Sequence, residues 1–184
     1  MTNKGFTLLE LMVSFSIATI AITIALPSIN DWILRHRVTS EIRSLHRDLQ
    51  NARHQAIFER QKISLCPRLG SNSCGTDWSQ GRHLFSDANG NGSIDEEDRI
   101  LVTRQQIPGT DSLRWKAFAA KAYIQWLPTG ITNHMNGSFV YCGRNRPEFA
   151  RAVIVAKSGR TRFSEDSNDD GIDENASGKA LTCP

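Results

Sequence analysis

From Phe6 to Leu26 the chain is apolar or small except for Glu10 and a few Ser and Thr. A helix of that length rises about 31 Å, roughly one hydrocarbon core, so the segment is expected to cross a membrane. Only MTNKG precedes it, and Lys4 would hold that end on the cytoplasmic side. The remainder is then expected outside the cytoplasm. A cleavable secretory signal peptide shares the basic start and apolar run. Glu10 stands against that alternative, because a carboxylate at mid-membrane costs about 3 kcal/mol and usually persists only with a partner and a role.

The cysteines fit an oxidising compartment. Cys66, Cys74, Cys142 and Cys183 form an even set with no C-x-x-C spacing and no nearby His cluster to complete a zinc site. A length of 184 residues suits one domain plus an appendage. The formal charge of +3 is too small to announce a nucleic-acid or membrane-surface protein. His36, His46, His54, His83 and His134 are scattered, and neither a nucleophile elbow nor a phosphate loop is present, so no enzyme activity is expected.

Past Pro27 a second pattern begins. Val38, Ile42, Leu45, Leu49, Ala52 and Ala56 recur at steps of four and three, with Arg35, Arg43, Arg47 and Arg53 elsewhere on the cylinder. That is an amphipathic helix with one apolar stripe, which can pack on the chain's own sheet or on a partner helix. After Gln61 the period changes to short β-rich runs at 62–66, 83–86, 99–104, 122–127, 138–142, 151–157 and 160–163, separated by loops such as Pro128-Thr129-Gly130 and Asn136-Gly137. The expectation is an α+β fold: a long N-terminal helix, transmembrane in its first half and amphipathic in its second, packed on an antiparallel β-sheet or sandwich.

The stretch Gly5-Phe6-Thr7-Leu8-Leu9-Glu10, set directly before the apolar run, resembles the processing site of type IV prepilins and type II secretion pseudopilins. That resemblance implies cleavage by prepilin peptidase between Gly5 and Phe6, N-methylation of Phe6, and neutralisation of its amine by Glu10 of the same or a neighbouring subunit. Pro27 matches the helix-bending proline of pilins. Its ring removes one backbone hydrogen bond, which favours a kink; a helix terminator is the alternative. The implied organisation is a leader over 1–5, a transmembrane assembly helix over 6–26, the amphipathic half over 27–61 and a β-rich domain over 62–184.

Further features follow the order found in the FimT/FimU minor pilins, which share a globular domain with the pseudopilin GspH. They are Trp78, Gly81 and Phe85 before a D-x-N-x-x-G loop, the Pro-Thr-Gly turn, an apolar strand from Phe139 to Cys142, Gly159-Arg160 and a late cysteine. Pro27 leans toward a pilus, since GspH-type pseudopilins often lack it. The implied partners are prepilin peptidase, other minor and major pilins, and the inner membrane. The domain would be periplasmic before assembly and extracellular in the pilus. Four cysteines allow three pairings; Cys66 with Cys74 and Cys142 with Cys183 are expected.

Two further patterns bear on binding. FimT-like pilins of transformable bacteria carry a GRxR motif linked to extracellular DNA. Here it reads Gly159-Arg160-Thr161-Arg162, with Arg144, Arg146, Arg151 and Lys157 as further phosphate contacts and Tyr141 and Phe163 as stacking candidates. A solvated turn, or a contact to the next pilin, is the alternative. The acidic run over 165–174 would repel a phosphate backbone within about 8 Å.

The other pattern concerns calcium. Asp87, Asn89, Asn91, Asp95 and Asp98 occupy positions 1, 3, 5, 9 and 12 of an EF-hand-type loop with Gly92 at position 6, and Asp166, Asn168, Asp170 and Gly171 repeat the start of that pattern. The first loop lies between strand-like runs, and Asp98 replaces the usual glutamate, so an Asx-rich turn is equally available. No cofactor is required by this reading; calcium would be an optional brace.

Overall fold

The computed structural model describes residues 5, 7–117 and 121–184, with the side chains of 24–28 outside the described set. The expectations that rest on Lys4, Phe6 and the Pro27 side chain therefore lie outside the described residues. The longest element is helix α1, Leu8–Glu59. The chain divides into two compact units, Met1–Arg37 and Val38–Pro184.

In the first unit α1 begins with a reciprocal cap. The Thr7 N–H and hydroxyl both donate to Glu10 Oε2 at 2.9 Å, and the Glu10 N–H donates to Thr7 Oγ1 at 3.2 Å. This is a capping box, which satisfies backbone donors that a helix start leaves open. The hydroxyls within the apolar run fold back onto the helix. Ser14 donates to the Glu10 carbonyl, Ser16 to Met12, Thr19 to Phe15 and Thr23 to Ile20, at 2.7–2.8 Å. Their polarity is thereby satisfied without any partner. Among the described residues no helix is long and apolar enough to cross a membrane. The described side chains of the apolar run stop at Thr23, short of the roughly 20 residues that a span takes.

In the second unit the periodic stripe lies inside. Val38, Ile42, Leu45, Leu49, Ala52 and Ala56 are all buried. The helix ends where Arg60 turns into the left-handed region at φ 54°, a conformation that terminates helices. Two antiparallel sheets follow. The first contains β1 (Ile63–Leu69), β2 (Ser73–Cys74), β3 (Arg82–Ser86), β4 (Ile100–Arg104) and β6 (Ile124–Trp126). Its order is β2-β1-β3-β4, with β6 pairing the start of β1. The second contains β5 (Ser112–Ala117), β7 (Gly137–Cys142), β8 (Ala150–Val155) and β9 (Thr161–Phe163), in the order β5-β7-β8-β9.

Strand β5 is missing from the sequence expectation. Its apolar Leu113 alternates with exposed Arg114 and Lys116, and so short an alternation is easily passed over as loop. Strand β8 is almost wholly buried because the second sheet is covered on both faces. On one side Phe139 of β7 meets Trp78 edge-on at 4.7 Å and stacks on Trp115 at 4.3 Å. On the other, Val140, Cys142, Ala150 and Ala152 pack against Leu181, Ile172 and Cys183 of the C-terminal tail. Disulfides join Cys66 to Cys74, across β1 and β2, and Cys142 to Cys183.

A buried polar cluster ties the helix to the first sheet. Asp48, 3% exposed, accepts from Arg82 Nε at 2.7 Å and from Arg104 Nη2 at 2.9 Å, and Arg82 also donates to Ser44 Oγ at 3.2 Å. Burial pushes the Arg82 guanidinium below its ordinary value, with Asp48 opposing the shift, whereas hydrogen bonding to Asp48 raises Arg104. The arrangement keeps one carboxylate and two guanidiniums hydrogen-bonded where water is scarce.

Candidate assembly segment and nucleic-acid interface

Two surfaces carry the residues singled out by the sequence, the start of α1 and the face around β9. At the first, Glu10 sits one turn into the helix, where its carboxylate is already hydrogen-bonded to Thr7. On either side of it Leu8, Leu9, Met12, Phe15, Ile17 and Ile20 stand 61–75% exposed. Thr7 was not among the sequence candidates, although the Thr-x-x-Glu spacing is the signal that marks it.

At the second surface the hairpin between β8 and β9 turns through Lys157, Ser158 and Gly159. The Ala156 N–H donates to the Arg160 carbonyl, and the Gly159 N–H donates to that of Ala156, both at 2.9 Å. Gly159 has φ +76°, and a Cβ there would come within 2.0 Å of the Gly130 carbonyl oxygen. The first letter of the GRxR pattern is therefore required by the backbone. Thr161 and Phe163 face the helix: Thr161 Oγ1 lies 3.1 Å from His46 Nε2, and the Phe163 ring meets His46 edge-on at 4.4 Å. Burial, with Arg47 adding to it, holds the His46 imidazole below its usual value.

Arg160, just before β9, and Arg162, within it, are both exposed. Among the described residues no carboxylate pairs with Lys157, Arg160 or Arg162. A groove of about 420 Å³ runs beside the hairpin, lined by Gln50, Arg53, His54 and Ile57 of α1 and by Gly159, Arg160 and Thr161. Arg53 and His54 thus join Arg160, although they are distant in sequence.

The wider basic cluster expected from sequence is divided. Arg144 and Arg146 precede β8 whereas Arg160 follows it, and a six-residue strand separates its two ends by roughly 17 Å. Arg146 is held by Glu148 at 2.6 Å and lies over the Phe149 ring at 4.6 Å. Arg151 pairs with Asp173 at 3.3 Å. Tyr141 cannot stack on a base: it is 1% exposed, and its hydroxyl donates to Asp111 Oδ2 at 2.7 Å. It shares a face of β7 with Phe139, and that face is covered. The acidic run leaves β9 at the end opposite Arg160 and is held near the start of β8 by that Arg151–Asp173 pair.

The first acidic loop is closely hydrogen-bonded. Asp87 is fully buried, and its Oδ2 accepts from Ser64, Gln125 and the Gly92 N–H, while Oδ1 is buried without a partner. Asp95 Oδ2 accepts from the side-chain amides of Asn89 and Asn91, and Asp98 accepts from the Ala88 and Asp95 N–H groups. Gly92 carries φ +78° beside Tyr123.

A family model described as type II transport protein GspH matches residues 41–159. The chain belongs to the GspH family. A prokaryotic N-terminal methylation motif matches residues 1–26, which makes this GspH-family chain a minor pilin or pseudopilin. The motif implies processing by prepilin peptidase, assembly with other pilins and a membrane-anchored stage. No curated protein matches the chain. Among solved structures it resembles the type IV minor pilin FimU of Pseudomonas aeruginosa, at 21% identity and a TM-score of 0.57, covering 71% of this chain and 90% of that one. It also resembles the minor pseudopilin EpsH of the Vibrio cholerae type 2 secretion system, at 10% identity and a TM-score of 0.51, covering 69% and 95%. Both likenesses establish the fold: a long N-terminal helix with antiparallel sheets.

Proposed function

We propose that this GspH-family chain is a minor type IV pilin of the FimT/FimU kind, cut between Gly5 and Phe6 and incorporated into the pilus near its tip. There it would help start assembly with other minor pilins and so serve twitching motility. The observation that carries the reading is the exposed apolar start of α1, from Leu8 to Ile20, with Glu10 at its head. Lipid would cover those side chains first and neighbouring pilin helices afterwards. Glu10 would exchange its hydrogen bonds to Thr7 for the Phe6 amine of its own or an adjacent subunit, so that two charges satisfy each other in a dry place. Pro27 favours the pilus over the type II secretion filament. Mass spectrometry of sheared pili is expected to find this chain beginning with N-methylated Phe6. A mature chain starting after Ala25, or its absence from sheared pili, would overturn the proposal.

A second reading is supported by the groove beside Arg160. Arg53 and Arg160 line the groove, and Lys157 and Arg162 are exposed on the same hairpin, so several cations without base-reading geometry are available, a combination suited to phosphate contacts of either single- or double-stranded DNA. The minor pilin would then also capture extracellular DNA for natural transformation. Reversing both charges with Arg160→Glu and Arg162→Glu is expected to weaken DNA binding in mobility shifts and to flatten its salt dependence by roughly two phosphate contacts. An unchanged affinity and salt slope would remove the receptor reading while leaving the pilin reading intact.

A further inference from the structure

The loop after β9 carries chemistry that pilus assembly does not use. Asp166, Asp170 and Glu174 each bring a carboxylate oxygen to within 4.8 Å of the others. At such spacing three negative charges repel one another strongly. Glu174 is 6% exposed. Its Oε2 accepts from the Ser167 N–H at 2.7 Å and the Ser167 hydroxyl at 2.8 Å, but Oε1 is buried with no hydrogen-bond partner. A carboxylate oxygen withdrawn from water without a donor is costly. Both costs fall if a single cation takes these oxygens.

We propose that residues 166–174 form a calcium site, with Asp166, Asp170 and Glu174 as its side-chain ligands. The cluster presents hard oxygens from one turn and no sulfur or imidazole, which suits calcium rather than zinc or copper. The remainder of its six to eight oxygens would come from loop carbonyls and water. The loop is already pinned in place. Glu174 bridges to Glu165 and to Ala180, the Leu181 N–H donates to the Asp173 carbonyl at 2.9 Å, and Ser164 donates to Asp173 at 2.5 Å. An ion bound here joins the exit of β9 to the C-terminal tail and neutralises part of the acidic run.

The test uses the full-length chain purified in detergent. Calcium sites on extracellular modules bind at about 10⁻⁴–10⁻³ M, so 10 mM calcium chloride is expected to raise the melting temperature by about 3–10 °C over chelator. The double variant Asp170→Asn with Glu174→Gln is expected to lose that rise. Because Glu174 is buried and its variant can fail to fold, Asp170→Asn alone, at an exposed position, is titrated with calcium chloride by calorimetry. It is expected to bind roughly tenfold more weakly, since one ligand charge is gone. Superimposable melting curves in calcium and chelator overturn the proposal. So does a calcium response that Asp170→Asn leaves at full size, which would put the ion elsewhere, as in the 87–98 loop.

Discussion

Asp48→Ala is expected to destabilise the folded chain by about 3–5 kcal/mol, seen as a lower urea midpoint with an unchanged slope. The reason lies in what stays behind. Arg82 is 3% exposed, its guanidinium is already pushed down by burial, and the carboxylate removed is the one that both ion-pairs and hydrogen-bonds with it, Glu41 acting on it only through its charge. Ser44 would remain, with a single neutral acceptor at 3.2 Å. Arg104 is 44% exposed and can turn to water, so Arg104→Ala should cost no more than about 1 kcal/mol. The asymmetry between the two substitutions separates a stranded charge from a general loss of packing. Equal effects would show that Arg82 reaches solvent when Asp48 is gone. Because Asp48 is on α1 while Arg82 and Arg104 are on β3 and β4, the same substitution loosens the helix from the first sheet.

The second large effect is expected at the C-terminus. Replacing Cys142 and Cys183 together by serine opens a crosslink between positions 41 residues apart. In the chain-entropy model this costs about 4 kcal/mol, against about 2.5 kcal/mol for the shorter Cys66–Cys74 loop. Besides that crosslink the tail is held by backbone pairing, the Leu181 N–H to the Asp173 carbonyl and the Glu174–Ala180 bridge, and by little apolar packing. Leu181 is its one fully enclosed apolar side chain among the described residues, resting with Ile172 on Val140 and Ala152. Thermal melting of the oxidised chain and the double serine variant measures the difference. Loss of the tail would uncover a face of β7 and β8 that is apolar, so aggregation near the transition is the expected accompaniment. A melting temperature within a degree of the parent would mean that the tail holds by its backbone pairing alone.

Sequence reading reached the helix and most strands because their signals are local. The stripe from Val38 to Ala56 repeats at helical spacing whatever packs on it, and the β-rich runs around Leu65, Phe85, Phe139 and Val153 are apolar enough to mark themselves. The split into two sheets was not legible, since it depends on which strands pair. The Asp48 cluster was hidden for a related reason: an acid on an amphipathic helix ordinarily faces water, and only β3 and β4 enclose this one. Tyr141 looked available for stacking because nothing in its neighbourhood in the sequence tells a covered sheet face from an open one. Conversely, Arg53 lies off the apolar stripe and His54 belongs to no motif, and the fold alone lines them up beside Arg160.

The crosslink between Cys142 and Cys183 also has a mechanical meaning. If the chain is the pilus subunit proposed above, it would be pulled during retraction, and the length a yielding domain releases is set by how much chain can straighten. Residues between the two cysteines are withdrawn from that length. At about 3.4 Å per residue, the 41-residue interval amounts to roughly 140 Å of slack that tension cannot draw out. The hairpin bearing Arg160 lies inside it. A cargo gripped there would stay on a closed loop of chain even if the rest of the domain gave way.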